Sequence, residues 1–385
     1  ARAAYTEPVF KRSLIEFSIA KSNTKNTSDK TTLDYNKLTG KFDKPNNLLT
    51  NNFENLFGYN NAGLRFRTQK KKYNYSFGAI LQQAGLEGKV LNTGKDSVIK
   101  KTFTNLLPNA RFQYYFTKFK NLTVNYTAST NQPTIAELQP VPDISNPLNI
   151  KEGNPDLKQE YRNTLNMNFM AVNPFRNKNL FGQVSFTQTQ NKIVNDITDI
   201  GGIKTTKPVN VSGIYTIAGN IDGGLPLRFL KGTINLGTNV NYTRNKQIIN
   251  GVLNNINNTG RGHSIMIESN PSEKLNLSFN AGVSNTKTAY SLQPALNTKY
   301  NTYRLGADIN WELPKGFFFA TDFNYTINKT SGNERASNFN TNIPFWNASI
   351  SKQLLKFNRG ELKFSVNDLL NQNIGISRSS NQNYI

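Results

Sequence analysis

The sequence predicts an all-β protein, an antiparallel transmembrane β-barrel of which about fifteen strands are present. Three observations lead there. Apolar and polar residues alternate with period two along the whole chain of 385 residues. The alternating runs are about 9–12 residues long, the length a tilted strand needs to cross a bilayer, against about 5–6 for an ordinary soluble strand. The connections between them are short and long by turns, as expected of a barrel with short periplasmic turns and long outer loops.

The composition agrees. Hydrophobic residues make up 36% of the chain, aromatics 11%, and about one residue in seven is Asn. That balance suits strands with one apolar face and one small, polar face. It does not suit disorder, which lacks aromatic and β-branched residues. No run approaches the ~18 consecutive apolar residues of a transmembrane helix. No charged start with an apolar core marks a signal peptide.

The strands are expected at 13–22, 58–68, 72–82, 105–116, 120–129, 160–172, 180–193, 208–224, 231–244, 258–268, 274–285, 300–312, 317–327, 341–353 and 361–371. Tyr73, Tyr75, Phe77, Ala79 and Leu81 alternate with Asn74, Ser76, Gly78 and Gln82. Leu275, Leu277, Phe279, Ala281 and Val283 alternate with Asn276, Ser278 and Asn280. Short connections fall at 69–71, 117–119, 173–179, 225–230, 269–273, 313–316 and 354–360. Long ones include 23–57, 83–104 and 130–159. Aromatics crowd the short-turn side: Tyr114, Phe116 and Phe119, then Phe229, Trp311, Phe317 and Phe357. Barrels carry such girdles where the apolar band meets the headgroups. The first and last of these strands both run outward. The count is therefore odd, and at least one more strand is expected after residue 385. Residues 1–385 read as one domain, the C-terminal part of a longer barrel.

Chemistry is limited by what is missing. Cysteine is absent, which removes disulfides, thiolate metal sites and thiol nucleophiles. His263 is the only histidine and lacks a nucleophile-elbow motif, so it reads as an ordinary strand residue. The glycines at 219–224 lack the strand-to-helix setting of a phosphate loop. Neither an enzyme nor a cofactor is expected. The net charge of +22 raises nucleic acid as a partner. The basic residues are spread over many segments, however, and fit a solvated surface or a charged pore better.

Three regions resemble a known family. Pro133-Thr134-Ile135-Ala136-Glu137-Leu138-Gln139-Pro140 is followed by Asn146-Pro147 and then by Gly153-Asn154-Pro155-Asp156-Leu157-Lys158-Gln159-Glu160. This is similar to the outer loop and inward strand start of TonB-dependent receptor barrels, with their Asn-Pro-x-Leu-Lys-x-Glu pattern. Val366-Asn367-Asp368-Leu369-Leu370-Asn371-Gln372-Asn373 resembles the motif before such a barrel's final hairpin. The opening Tyr5-Thr6-Glu7-Pro8 with Leu14-Ile15-Glu16-Phe17 is similar to mid-barrel sequence of the Bacteroidetes-type members. The resemblance implies a barrel of about 22 strands, of which these are about the seventh to the twenty-first. It implies an outer-membrane setting among lipid and lipopolysaccharide, a plug that engages TonB, and a surface lipoprotein partner. It also implies uptake of a scarce nutrient: a siderophore, glycan or peptide. Plug and TonB box are not among residues 1–385, so active transport rests on the resemblance alone. A structural or accessory barrel of a larger complex and a passive plugless channel are the alternatives.

The site residues follow from these readings. The loop motif singles out Pro133, Glu137, Leu138, Asn154, Pro155, Asp156, Leu157 and Glu160. Pro155 punctuates the loop, Asn154 and Asp156 cap its turn, and Leu157 anchors it on the barrel rim. A loop-folding role is favoured over ligand contact. The second motif singles out Asn367, Asp368, Leu369, Leu370 and Asn371. The lumen is expected to be lined by the polar partners of the alternation: Arg65, Arg67, Asn74, Arg111, Asn125, Asn239, Asn280, Arg304, Asp308 and Asp322. Its arginines would favour anionic solutes.

Overall fold

The computed structural model describes residues 1–385 apart from 47–49, 91–96, 140, 141, 145, 333–339, 356–358 and 373–385. Pro140, Phe357 and Asn373 therefore lie outside the described residues. Among the described residues the chain forms 21 strands and one four-residue α-helix. It divides into two compact units. The first comprises residues 1–168, 184–217 and 243–256, and the second 169–183, 218–242 and 257–385.

The first unit opens with β1 (Arg2–Phe10) and β2 (Ser13–Lys30), joined by a tight turn. A small hairpin, β3 (Leu33–Asn36) with β4 (Lys41–Pro45), stands in the next connection. The antiparallel meander then runs through β5 (Asn51–Gln69), β6 (Tyr73–Val90), β7 (Ser97–Thr117) and β8 (Lys120–Asn131).

Its register sorts side chains by chemistry, because successive residues of a strand point to opposite faces. Ile19 lies opposite Ala62, which lies opposite Leu81, which lies opposite Leu106. Phe17, Leu64, Ala79 and Pro108 form the next row, and Ile15, Phe66, Phe77 and Ala110 the one below. Between these rows, on the other face, run Glu16, Arg65, Gly78 and Asn109. The apolar rows look outward: Ile19 is 65% exposed and Leu106 58%. Large apolar side chains in such number do not face water in a soluble domain. A sandwich would bring them together in a dry interior, and here they stay on the surface.

The second unit repeats the arrangement. β17 (Leu275–Tyr290), β18 (Thr298–Leu313), β19 (Phe317–Ser331), β20 (Thr341–Leu354) and β21 (Gly360–Val366) pair in sequence. Leu275, Trp311, Phe319, Ile350 and Phe364 share one row of the apolar face. Ser278, Asp308, Asp322 and Asn347 share a row of the polar face.

Four expectations need correction. β1 precedes the fifteen expected strands and makes their count even, so the parity argument for a further strand no longer holds. Several strands are about twice the expected length: β2 and β6 have 18 residues and β7 has 21. Much of 23–57 and 83–104 is thus strand rather than loop. Those outer portions alternate poorly because water wets both faces beyond the apolar band. Residues 194–207, left between the expected strands 180–193 and 208–224, form most of a hairpin. The last strand ends at Val366, not at 371.

Replacing Leu64 with Arg puts a charge in the middle of the outward apolar face. Equilibrium folding into lipid vesicles is expected to lose about 2–4 kcal/mol. Thr127→Arg, on the polar face, is expected to change it by no more than about 0.5 kcal/mol.

Candidate functional site

The loop motif and a hairpin far along the chain come together at the outer end of the first unit. α1 (Ile135–Leu138) forms there because Thr134 and Glu137 make a capping box. The Thr134 amide donates to the Glu137 carboxylate at 2.7 Å, and the Glu137 amide donates to Thr134 Oγ1 at 3.2 Å. The short helix presents Ile135 and Leu138 inward. With Leu86 and Leu157 they form a buried cluster, flanked by Phe57, Ile99 and Ile193. Ile135 lies flat on Gly88, where a Cβ would come within 2.5 Å of its Cδ1. Pro133 is also fully buried. Leu157 is 1% exposed in this cluster.

Past β9 (Asn149–Lys151), the motif turns into β10 (Glu160–Asn173). Asn154 Oδ1 accepts from the Asp156 amide at 3.0 Å, which closes the turn around exposed Pro155. Gln159 Oε1 accepts from Asn105 Nδ2, one residue beyond Leu106. At that level the outward face has given way to Gln83 and Thr104, so the site lies outside the apolar band. Glu160 is 2% exposed. It accepts from Lys192 Nζ at 2.7 Å, the Ile193 amide at 3.0 Å and Asn131 Nδ2 at 3.3 Å. Burial pushes its carboxyl up, but these hydrogen bonds and the Lys192 charge outweigh burial and hold it below the usual carboxylate range.

Two of the three partners of Glu160, Lys192 and Ile193, belong to a hairpin that has turned over. β11 (Lys178–Gln190) ends at Asn191, which takes a left-handed φ of 51° and redirects the chain into β12 (Lys192–Ile200). β13 (Ile203–Val211) returns and bends at Gly213, φ 82°, into β14 (Ile214–Leu227). Below the two bends β11 lies beside β10, and β14 beside β15 (Gly232–Ile249). Beyond the bends the arms change places: β12 pairs with β15 and β13 with β9, both in parallel.

The loop motif fastens this crossing. Asn154 Nδ2 donates to the Pro208 carbonyl at 3.0 Å. The Asn210 side chain accepts from the Lys158 amide at 2.8 Å and donates to the Lys158 and Asn191 carbonyls. Lys192, Asn210 and Asn131 are residues that sequence reasoning missed. Nothing local marks them, since each owes its role to a partner at least 29 positions away.

The other predicted residues fall on the polar faces of the two units. In the first, Arg65 is opposite Glu16, and Arg67 is separated from Arg111 by Ser76 on the strand between; Arg111 faces Asn125. In the second, Asp308 is opposite Asp322, which accepts from Asn347 Nδ2 at 2.9 Å, while Arg304 lies between Gly282 and Thr326. Asn347 Oδ1 also accepts from the Asp368 amide. The second motif is therefore a turn fixed to β20, with Asp368 and Asn371 at positive φ and the Leu369 amide donating to the Trp346 carbonyl. Asn367, Leu369 and Leu370 are exposed. His263 accepts or donates a 2.8 Å bond with Thr238. Among the described residues no group of His, Asp and Glu could hold a metal ion.

A family model for outer membrane protein β-barrels matches residues 1–385. The chain belongs to the outer membrane protein β-barrel family. It is an outer-membrane protein, and the exposed apolar face of this barrel meets lipid. Among solved structures, it is similar to OmpT, an outer membrane protein of Vibrio cholerae folded in vitro, at 8% identity and a TM-score of 0.25, over 93% of this chain and 98% of that one. A loop L8 deletion mutant of the same protein matches at 9% identity and a TM-score of 0.27, over 84% and 96%. No curated protein sequence matches the chain.

Glu160→Ala removes three hydrogen bonds to a buried carboxylate and is expected to cost about 1.5–3 kcal/mol locally. Leu157→Ala is expected to cost about 2–5 kcal/mol. Either should raise cleavage by added protease at Gly201 and Gly202, the tip of the crossed hairpin, with the rest of the barrel still resistant. Because the Glu160 carboxyl sits low, its contribution is present above the ordinary Glu value of about 4.3 and is lost as pH falls through the depressed value. Protection of that tip should fade in the same window in the native protein and not in Glu160→Gln.

Proposed function

We propose that this chain is the barrel of a TonB-dependent receptor, which binds a scarce nutrient at its outer hairpins and passes it through its lumen. The observation that carries this reading is the outer loop 133–160. Its Asn-Pro-x-Leu-Lys-x-Glu pattern is the one such receptors carry, and here the pattern builds an ordered mouth in place of a free loop. Long hairpins on the same side support the reading. β6 and β7 exceed by several residues the ~9–11 needed to span lipid, and so raise binding surface beyond the membrane. The polar-face residues Arg65, Arg67 and Arg111 suit passage of an anionic solute. A siderophore, an acidic glycan or a peptide fits that chemistry. Energy coupling then belongs to a plug and TonB, and capture to a surface lipoprotein partner.

The test is uptake. A strain lacking the gene is compared with its parent on radiolabelled ferric siderophore, oligosaccharide and peptide. The expected result is loss of uptake of one of them, and an equal loss in the parent when a protonophore collapses the proton gradient. Uptake that survives the protonophore would indicate a passive channel. Unchanged uptake of all three would indicate an accessory barrel.

A further inference from the structure

The chain's positive charge is scattered in sequence, yet the fold gathers it at one edge. In the first unit three short turns adjoin. The β1–β2 turn carries Lys11 and Arg12, the β5–β6 turn Lys70, Lys71 and Lys72, and the β7–β8 turn Lys118, with Lys120 opening β8. The Arg12 carbonyl accepts from the Gln69 amide at 3.1 Å, and the Lys72 carbonyl from the Tyr115 amide at 2.7 Å, so each turn is bonded to the next strand's end. All these cations are exposed. No Asp or Glu occurs in the three turns. Glu7, the nearest carboxylate on β1, is bonded to the Tyr5 hydroxyl.

Directly inside the cations runs an aromatic collar on the lipid-facing side. Tyr73, Tyr75 and Phe77 stack along β6, and Tyr114 meets Phe116 edge-on at 4.8 Å. Two of the lysines reach back over it: Lys70 Nζ lies 5.4 Å from the Tyr73 ring centre and Lys120 Nζ 5.0 Å from that of Phe116. Phe10 is 70% exposed in the same edge. The second unit shows the same pairing at its own short turns. Phe175, between Pro174 and Arg176, is 92% exposed, and Phe229, beside Arg228, is 82% exposed.

We infer that the basic short-turn edge of the first unit, formed by Lys11, Arg12, Lys70–72, Lys118 and Lys120 over the aromatic collar, is a binding surface for the phosphate headgroups of anionic phospholipids in the periplasmic leaflet. The geometry fits that occupant. Aromatic rings favour the acyl–headgroup boundary, and the Lys70 and Lys120 ammonium groups lie over two rings of the collar at its exposed edge. A phosphodiester leaflet supplies a matching sheet of negative charge, and clustered cations next to it draw anionic lipids. A free anion would not need the aromatic collar. The inference rests on the barrel fold and is independent of the transport proposal.

The test uses the full chain in detergent micelles, titrated with phosphatidylglycerol, phosphatidylethanolamine or inorganic phosphate, with bound lipid counted by native mass spectrometry. Each cation near an anionic surface contributes about fivefold in affinity. Phosphatidylglycerol is therefore expected to be retained more than about tenfold over phosphatidylethanolamine. The triple variant K70S/K71S/K72S should bring the ratio within about twofold, and K70R/K71R/K72R should keep it. A control triple in the outer hairpins, K25S/K89S/K100S, should keep it also. Heat-modifiable gel mobility reports folding of each variant. If the serine triple fails to fold, the ratio in the native chain at about 0.5 M salt takes its place and should collapse through screening. Equal retention of the two lipids, a preference that survives both the serine triple and salt, or displacement of phosphatidylglycerol by an equal concentration of inorganic phosphate would overturn the proposal.

Discussion

Everything in this molecule depends on one constraint: inside lipid, each backbone amide and carbonyl has to find its partner on a neighbouring strand. The strands are long and regular because a gap in the ladder would leave polar groups in hydrocarbon. Register then follows from side-chain chemistry. A slip of one residue would turn Ile19, Leu64, Leu81 and Leu106 to the wet face and Glu16 and Arg65 to the lipid. The usual hydrophobic core is almost dispensed with. Among the described residues, half of the buried hydrophobic side chains, Leu86, Ile135, Leu138 and Leu157, sit in one cluster at the outer mouth.

The site at the mouth uses a different economy. Above the lipid, water competes for every hydrogen bond, so order there has to come from local burial and from charge-assisted contacts. The motif supplies both. Leu157 and the α1 side chains exclude water, and Glu160 converts a basic side chain and a backbone amide into a clamp. The same seven residues punctuate a loop, start a strand and hold a hairpin that begins 32 positions later.

The transmembrane part was legible in the sequence because lipid on one side and water on the other impose period two. Runs such as 73–82 and 275–283 could be placed within a few residues. Legibility failed where that contrast fails. In 23–30 and 83–90 both faces meet water, and polar residues on both sides hid the continuing strands. β1 was missed because Glu7 and Pro8 interrupt its pattern. The hairpin of β12 and β13 was missed because its pairing is set by bends at Asn191 and Gly213 and by long-range partners, not by alternation. The loop motif was recognised by its residue types, and in the structure Leu157 is buried in the mouth cluster and Asn154 bonds within its own turn. Lys192 and Asn210, which bond the motif's Glu160 and Lys158, carry no mark of their own. The positive charge looked diffuse for a related reason: turns distant in sequence become neighbours only once the strands between them pair.

The exchanged arms of the β12–β13 hairpin bear on how the molecule is put together. Its anchors on one side, Asn154 and Glu160, precede it in the chain, and its neighbour on the other side, the end of β15, follows it. The arms cannot settle into their swapped positions until both flanks exist. The shape of the mouth is therefore held from both flanks at once, by residues that lie before and after the hairpin in the chain.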